Sequence, residues 1–588
     1  MRRLIVAAAA LICTSLATVA AASASDVKVT DQTYTRHDGG SDSVISTCSN
    51  FSADSQYGGH RQQNEPAVAV DPGEPSFIVV AANDYCGIPT FGDAFEGIYT
   101  SSDGGATWKD SLLPGYPGDT SGAPSPLVSA GDTNAGDPVL DWDNSGHLFT
   151  GGIAFNRTAT RAESGVKPTN GNTFVSTWSR DPSSPIGISY VQTVIVGQGT
   201  PSASLEGKLS DKPSLKVDDW SIVQSPFAGN VYTAWNLDTG AGGPSPGQNS
   251  RILFARSTDE GQTFSKPIII SKNIPNALGT DIAVSPNGDV YVFWRQFGFV
   301  ANSGDGIVYV KSTDGGKTFG DPYFAFSIDP YDRSDAYVIG GGAGFCGSLI
   351  FKCQSGFTFH RTVTLPQATA DSSGNLYATH EQLSATSDNG DSYQPDGQSK
   401  VMVSKSTDGG STWSTTTVDS QSVGDQFWPN IEYDKSNGTL ALIYYDSRED
   451  TSYSVNRPPG NRSNGKSVCE SGGVGTTPCD VLNTFIAAST NGGISWIQTK
   501  VSTVGHQPNY EMFSGRIVAF EGDYIGVDAD GGKIIGAWTD DRDVVPGSDP
   551  RESDSDGFDV LQCRATPDAP DTCANAGGLN QNVYAASP

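Results

Sequence analysis

The sequence predicts an all-β chain folded as a β-propeller of four-stranded antiparallel blades, with seven blades preferred and six the alternative. Three observations predict it. Glycine and proline supply 69 and 34 of the 588 residues, a balance that suits short strands joined by tight turns. An eight-residue phrase (Ser, any residue, Asp or Asn, any residue, Gly, two more, then an aromatic) recurs five times, at Ser101–Trp108, Ser257–Phe264, Ser312–Phe319, Ser406–Trp413 and Ser489–Trp496. Around it, a longer unit of four β-like runs recurs seven times. Repetition at long period marks a repeat architecture, and radial repetition leaves only short, protected sheet edges.

Each unit opens with a strand that usually begins on Pro and ends on Asp or Pro: Pro66–Asp71, Pro138–Asp143, Pro213–Asp218, Asp281–Pro286, Pro366–Asp371, Pro429–Asp434 and Tyr524–Asp530. A Gly- or Asn-containing turn leads to a second apolar strand, as at Val231–Trp235, Val290–Trp294, Leu440–Tyr445 and Ile534–Trp538. A variable loop follows, then a third strand that runs into the phrase and a fourth that leaves it. Unit two carries a degenerate copy at Ser179–Asp181 and unit seven another at Arg564–Asp568, whereas Thr386–Tyr393 is a chance match inside a loop. A strand lent by one terminus, Val27–Thr30 or Val583–Ala586, should close the ring.

Met1–Ala24 has the pattern of a secretory signal: Arg2 and Arg3, an apolar run, then Ala22–Ala24. The chain therefore divides into 1–24, an N-terminal extension over 25–63 and a propeller over 64–588. No later stretch reaches the length of a membrane span, so the expectation is a secreted protein of open oligomeric state. A formal charge of −29 repels nucleic acid and anionic membranes. Of nine cysteines, setting aside Cys13 leaves an even set for an oxidising compartment. Local spacing suggests Cys346–Cys353, Cys469–Cys479 and Cys563–Cys573, with Cys48–Cys86 by elimination, although spacing does not fix connectivity. No His stands at ligand spacing from a Cys pair, so no metal set is expected. Asp554, Asp556 and Asp559 with their glycine turn suit Ca²⁺, but without the full twelve-residue loop.

The phrase is that of the Asp-box, or BNR, repeat, and the chain from Asn64 onward resembles the sialidase superfamily of secreted propellers. Local chemistry makes the phrase structural. A short Asp or Asn side chain accepts hydrogen bonds from its own turn, Gly supplies positive φ, and the aromatic packs beneath. Asp103, Asp259, Asp314, Asp408 and Asn491 are therefore expected to hold turns, not to catalyse.

Function is expected on the opposite face. That face carries the loops between second and third strands and the blade-to-blade crossings, including the long insertions at Tyr85–Phe95, Arg157–Gly171, Leu237–Ser250, Gln382–Ser399, Glu449–Val481 and Val544–Gly557. Near the axis there, Asn64, Glu65, Asp137, Asp211, Asp281, Asp425 and Asp523 open first strands. Asp84, Asn236, Glu381, Asp446 and Asp540 close second strands. Arg295, Arg448 and Arg542, from separate units, are candidates for a substrate-binding clamp on a carboxylate. The resemblance implies an arginine triad, a Tyr nucleophile helped by Glu, and an Asp acid/base; Tyr510, Glu511 and Asp84 are the residues offered for the last three. The family's first arginine is replaced by Asn64, with Arg61 just upstream. Axial carboxylates such as Asp137 and Asp211 offer a second chemistry, general acid and base on a neutral polysaccharide. Trp428 and Tyr445 are candidates for sugar stacking, with core packing as the alternative. Two functions follow: a sialidase-like glycoside hydrolase acting on an extracellular glycan or glycoprotein, or a propeller that binds glycan or protein without cleaving it.

Overall fold

The structure, a computed structural model, describes residues 25–30, 33–49, 62–87, 94–156, 171–199, 208–239, 250–272, 274, 277–297, 305–331, 344–345, 352–353, 362–384, 397–451, 453, 481–506, 510–513, 516–519, 521–543 and 581–588. Seven four-stranded antiparallel sheets form a ring whose first strands are neighbours about one axis. Blade one runs Gln63–Val70, Ile78–Asp84, Phe95–Ser101, Lys109–Leu112. Blade two runs Asn134–Trp142, His147–Phe155, Asn172–Arg180, Ile188–Gly197, and blade three Lys208–Val217, Val231–Thr239, Arg251–Ser257, Ile268–Ile269. Blade four is Ala277–Val284, Val290–Gln296, Gly306–Ser312, Tyr323–Ser327; blade five is Gln367–Ala370, Leu376–Leu383, Ser399–Ser406, Ser414–Thr417. Blade six is Gln426–Asp434, Thr439–Asp446, Asn483–Ser489, Ile497–Lys500.

Blade seven joins both ends of the chain. Gly526–Asp530 and Lys533–Asp540 are followed by Asn582–Ala586 as third strand, and Val27–Lys28 is the fourth. The sequence offered one terminus or the other as the closing strand, and the structure uses both. Val29 N–H donates to the Val583 carbonyl at 2.9 Å, and Arg542 reaches Asp26 at 2.7 Å. The fourth strand of this blade comes from the N-terminal part of the chain, so it is not reached by a turn from the third. Arg564–Asp568, the degenerate copy expected in unit seven, lies outside the described residues.

The five clean phrases form one kind of turn. Ser101 Oγ accepts the Gly105 N–H at 2.9 Å and donates to Asp103 at 2.8 Å. Asp103 in turn accepts the Thr107 N–H at 2.9 Å and its hydroxyl at 2.6 Å. The same bonds recur at Asp259, Asp314 and Asp408, whereas Asn491 accepts the Ser495 N–H and donates its own amide N–H to the Ser495 hydroxyl. Burial pushes Asp314 up, but bonds from Thr318 and Ser312 outweigh it and hold the carboxyl at about 2. The Asp that ends most first strands has a parallel use: Asp71, Asp143, Asp371 and Asp434 each accept an N–H two residues on, at 2.8–2.9 Å.

Between blades the alternating inward residues make successive apolar layers, with Trp142, Trp178, Trp235, Trp294 and Trp538 among the largest fully buried side chains. The extension packs against blade one. Asp42 caps the helix Ser43–Ser49 through the Val44 and Ile45 N–H groups, both 2.9 Å. Cys48 is bonded to Cys86, as elimination suggested. The other three proposed cysteine pairs, and Asp554, Asp556 and Asp559, lie outside the described residues or their described side chains.

Two outcomes test this scaffold. Val29→Asp places an unpaired charge in the closing seam and should lower unfolding free energy by roughly 3 kcal/mol or more. Asp103→Ala should cost about 1–2 kcal/mol while leaving any ligand binding intact, as chemical denaturation beside a binding assay would show.

Candidate functional site

Where a first strand begins, prolines shape the axis. Pro has no N–H to give the ladder, and its ring restricts the residue before it. In blades one, two, three, four and six the register slips there, between Asn64/Ala67, Gly136/Val139, Asp211/Ser214, Leu278/Thr280 and Phe427/Asn430. The bulged residue takes positive φ: Glu65 55°, Asp137 56°, Lys212 44°, Gly279 66° and Trp428 53°. Four of these are not glycine, and each left-handed side chain costs on the order of 1 kcal/mol. Leu365 before Pro366, and Tyr524, hold the corresponding positions in blades five and seven. Charged residues thus occupy this level in blades one to three, glycine in blade four and apolar or aromatic residues in blades five to seven.

Glu65, Asp137, Asp211, Lys212, Asp523 and Tyr524 meet at this mouth. Lys212 Nζ is ion-paired with Asp523 and stands 6.0 Å from the centre of the Tyr524 ring. Asn83 donates to Glu65 at 2.7 Å and to Asn64 at 3.0 Å, while its carbonyl oxygen accepts the Asp137 N–H at 2.9 Å. Gly522, at φ 103°, lies against Glu65 so closely that a Cβ there would come within 2.5 Å of the Glu65 Cγ. Burial, then the charge of Asp523, pushes Glu65 up to about 7, against the pull of Lys212 and Asn83. Burial, then Glu65 and Asp211, drives Asp137 well above the carboxylate range. Burial works against the Lys212 charge, yet Asp523, Asp211, Asp137 and Glu65 together raise its pKa. The mouth thus holds carboxyls that keep a proton near neutrality beside a carboxylate paired with ammonium. Beside it, Leu365, Trp428, Pro429, Asp523, Tyr524 and Ile525 help line a cavity of about 10 Å³.

A second charged level crosses the axis toward the other face. Lys216, from the same strand as Lys212, donates to Glu432 at 2.9 Å and stands 3.6 Å from Asp141. Asp528 accepts the Val70 N–H at 2.6 Å and Asp281 the Ala368 N–H at 2.6 Å, so these carboxylates tie blade seven to one and four to five. Burial pushes Asp281 up to about 7.

The residues proposed from sequence fall in different places. Asp84 is fully buried and accepts from Tyr34, from Tyr99 at 2.6 Å and from the Cys86 N–H at 2.9 Å, fastening the extension beside the disulfide. Arg295 forks onto Asp305 with two bonds of 2.8 Å. Arg448 binds Asp446 and Asp419, and Arg542 binds Asp540 and Asp26. Among the described residues the three arginines pair with different carboxylates, and none of them lines either axial cavity. Tyr510 and Glu511 lie in a hairpin, Tyr510–Phe513 with Arg516–Ala519, whose side chains are outside those described. Asp425 is buried under Tyr331 and Ser399. Trp428 and Tyr445 are both buried, Tyr445 donating to the Thr539 carbonyl at 2.5 Å. Asn64 donates to Gln581 at 3.0 Å. Glu65, Asp137, Asp211 and Asp523 were named near the axis and do meet there. Lys212 and Tyr524 were missed, though the place before the strand-opening Pro was a signal for Lys212.

No protein-family model and no curated protein matches the chain. Among solved structures, the alignment with the phage phi92 endosialidase spans 91% of this chain and 68% of that one, at 11% identity and a TM-score of 0.41. That with a protein of unknown function from Dyadobacter fermentans spans 68% and 93%, at 14% identity and 0.39. That with the Trypanosoma rangeli sialidase bound to the inhibitor DANA spans 68% of this chain but only 54% of the sialidase, at 11% and 0.36.

Carboxyls whose pKa is raised on folding stabilise fully below their unfolded range, and that contribution is lost as pH rises through the folded value. With Glu65 and Asp281 at about 7, the melting temperature should fall from about pH 4, the unfolded carboxylate range, to about pH 7 and level off above it. Asp281→Asn should flatten that fall in a pH series of thermal melts.

Proposed function

We propose that this chain is a secreted glycan-acting enzyme, a glycoside hydrolase whose chemistry lies at the axial mouth. The observation that carries the reading is the pairing of a protonated carboxyl at Glu65–Asp137 with the Lys212-paired carboxylate of Asp523 in one partly buried cluster. Glycoside hydrolysis needs such a pair. The acid gives its proton to the leaving oxygen as the glycosidic C–O bond breaks. The carboxylate takes a proton from the attacking water or bonds to the anomeric carbon. Left-handed side chains retained at Glu65, Asp137 and Lys212 support a site, because backbone strain concentrates where function requires it. The Cys48–Cys86 bond suits export to an oxidising compartment, as does the signal-like N-terminus.

An arginine clamp of sialidase type is the less favoured chemistry, since Arg295, Arg448 and Arg542 each already hold a carboxylate. A second reading, glycan binding without cleavage, is favoured by one observation: Lys212 with Asp523 and Asn83 with Glu65 satisfy one another without a ligand.

The test is release of reducing ends from a broad polysaccharide panel. Wild-type kcat/KM should fall above about pH 7, as the Glu65–Asp137 acid loses its proton. Glu65→Gln should lower kcat by roughly 10²–10⁴-fold with the fold intact by circular dichroism. Binding without turnover by the wild type would replace this reading with the second one.

A further inference from the structure

Resting on that reading of the mouth, we infer that the small cavity beside the carboxylates is a specificity subsite that admits one uncharged, hydroxyl-sized group of a neutral sugar and rejects anionic sugars. Three observations carry it. The first is size: about 10 Å³ holds one water molecule, so a hydroxyl fits where a carboxylate or an acetamide does not.

The second is an unused donor. Tyr524 lines this cavity, and its hydroxyl is buried with no hydrogen-bond partner among the described residues. Burial and the surrounding carboxylates push its pKa far up, so the phenol stays protonated. A buried polar group without a partner costs free energy until a ligand or water satisfies it. A sugar hydroxyl does so by accepting the phenolic proton.

The third is charge. Glu65, Asp137, Asp211 and Asp523 surround the single described cation of the mouth, Lys212, which is already paired. A sugar carboxylate or sulfate entering here finds no unpaired described cation to receive it and adds negative charge to a buried acidic cluster, which burial already forces to hold protons. Leu365, Trp428, Pro429 and Ile525 line the cavity together with Gln367 and the buried Glu381, so a further acidic side chain borders the place an anionic group would have to enter.

The experiment uses the full chain carrying Glu65→Gln, so that binding is read without turnover. Titration calorimetry compares neutral gluco-, manno-, galacto- and xylo-oligosaccharides with sialyllactose and oligogalacturonate. A neutral oligosaccharide should bind, and the anionic probes should bind at least about 100-fold more weakly or not at all. Adding Tyr524→Phe, which keeps the ring, should weaken the neutral ligand about 10-fold without changing the melting temperature by more than a few degrees. The inference is overturned if an anionic probe binds as tightly as the neutral ones, if Tyr524→Phe leaves affinity unchanged, or if no probe binds. Neutral binding that depends on Tyr524 in a wild type that cleaves nothing would sink the hydrolase reading and leave this subsite standing. Cleavage of an anionic glycan would do the reverse.

Discussion

The ion pair between Lys212 and Asp523 is the interaction on which the mouth depends. Carboxylates from four blades converge there, and repulsion among them, added to desolvation, would otherwise force all of them neutral. One buried ammonium changes the outcome. It pairs with Asp523 while Glu65 and Asp137 retain protons. The same inner strand repeats the device with Lys216, which faces Glu432 and Asp141 at the next charged level. Blade three thus supplies positive charge to both levels of an axis otherwise rich in acid.

Backbone geometry explains why these groups meet. Pro66, Pro138, Pro213 and Pro429 cannot join the ladder at the start of the first strand, and the register slips beside them. The slip turns the preceding residue left-handed. Its side chain is then set by a bulge shared between blades, so one local rule places residues of very different chemistry on one level. A charged half and an apolar half result from sequence differences at a single repeated position.

Much of the scaffold was legible because it repeats. Strand spacing gave seven units where the phrase gave five, and a strand is constrained by burial whereas a turn tolerates loss of its Gly and aromatic. Closure was half legible: Val27–Lys28 and Asn582–Ala586 each look like an ordinary short strand, and nothing in either shows that they pair with each other. At the site, carboxylates such as Asp137 stood out by charge. Lys212 and Tyr524 did not, because their meaning comes from neighbours several hundred residues away, as the Lys212–Asp523 separation shows. The arginines illustrate the opposite hazard. Arg448 and Arg542 each follow, by two residues, the aspartate that binds them, so local pairing competes with recruitment to a shared clamp.

The central claim is that the mouth stores a proton at neutral pH. It is tested most directly by carboxyl ¹³C NMR of the intact protein labelled at glutamate and aspartate side chains, with Glu65→Gln and Asp137→Asn used for assignment. The account predicts that the Glu65 signal titrates at about 7 and that Asp137 stays protonated well above the ordinary aspartate range. Titration of both groups at ordinary carboxylate values, near 4, would contradict it.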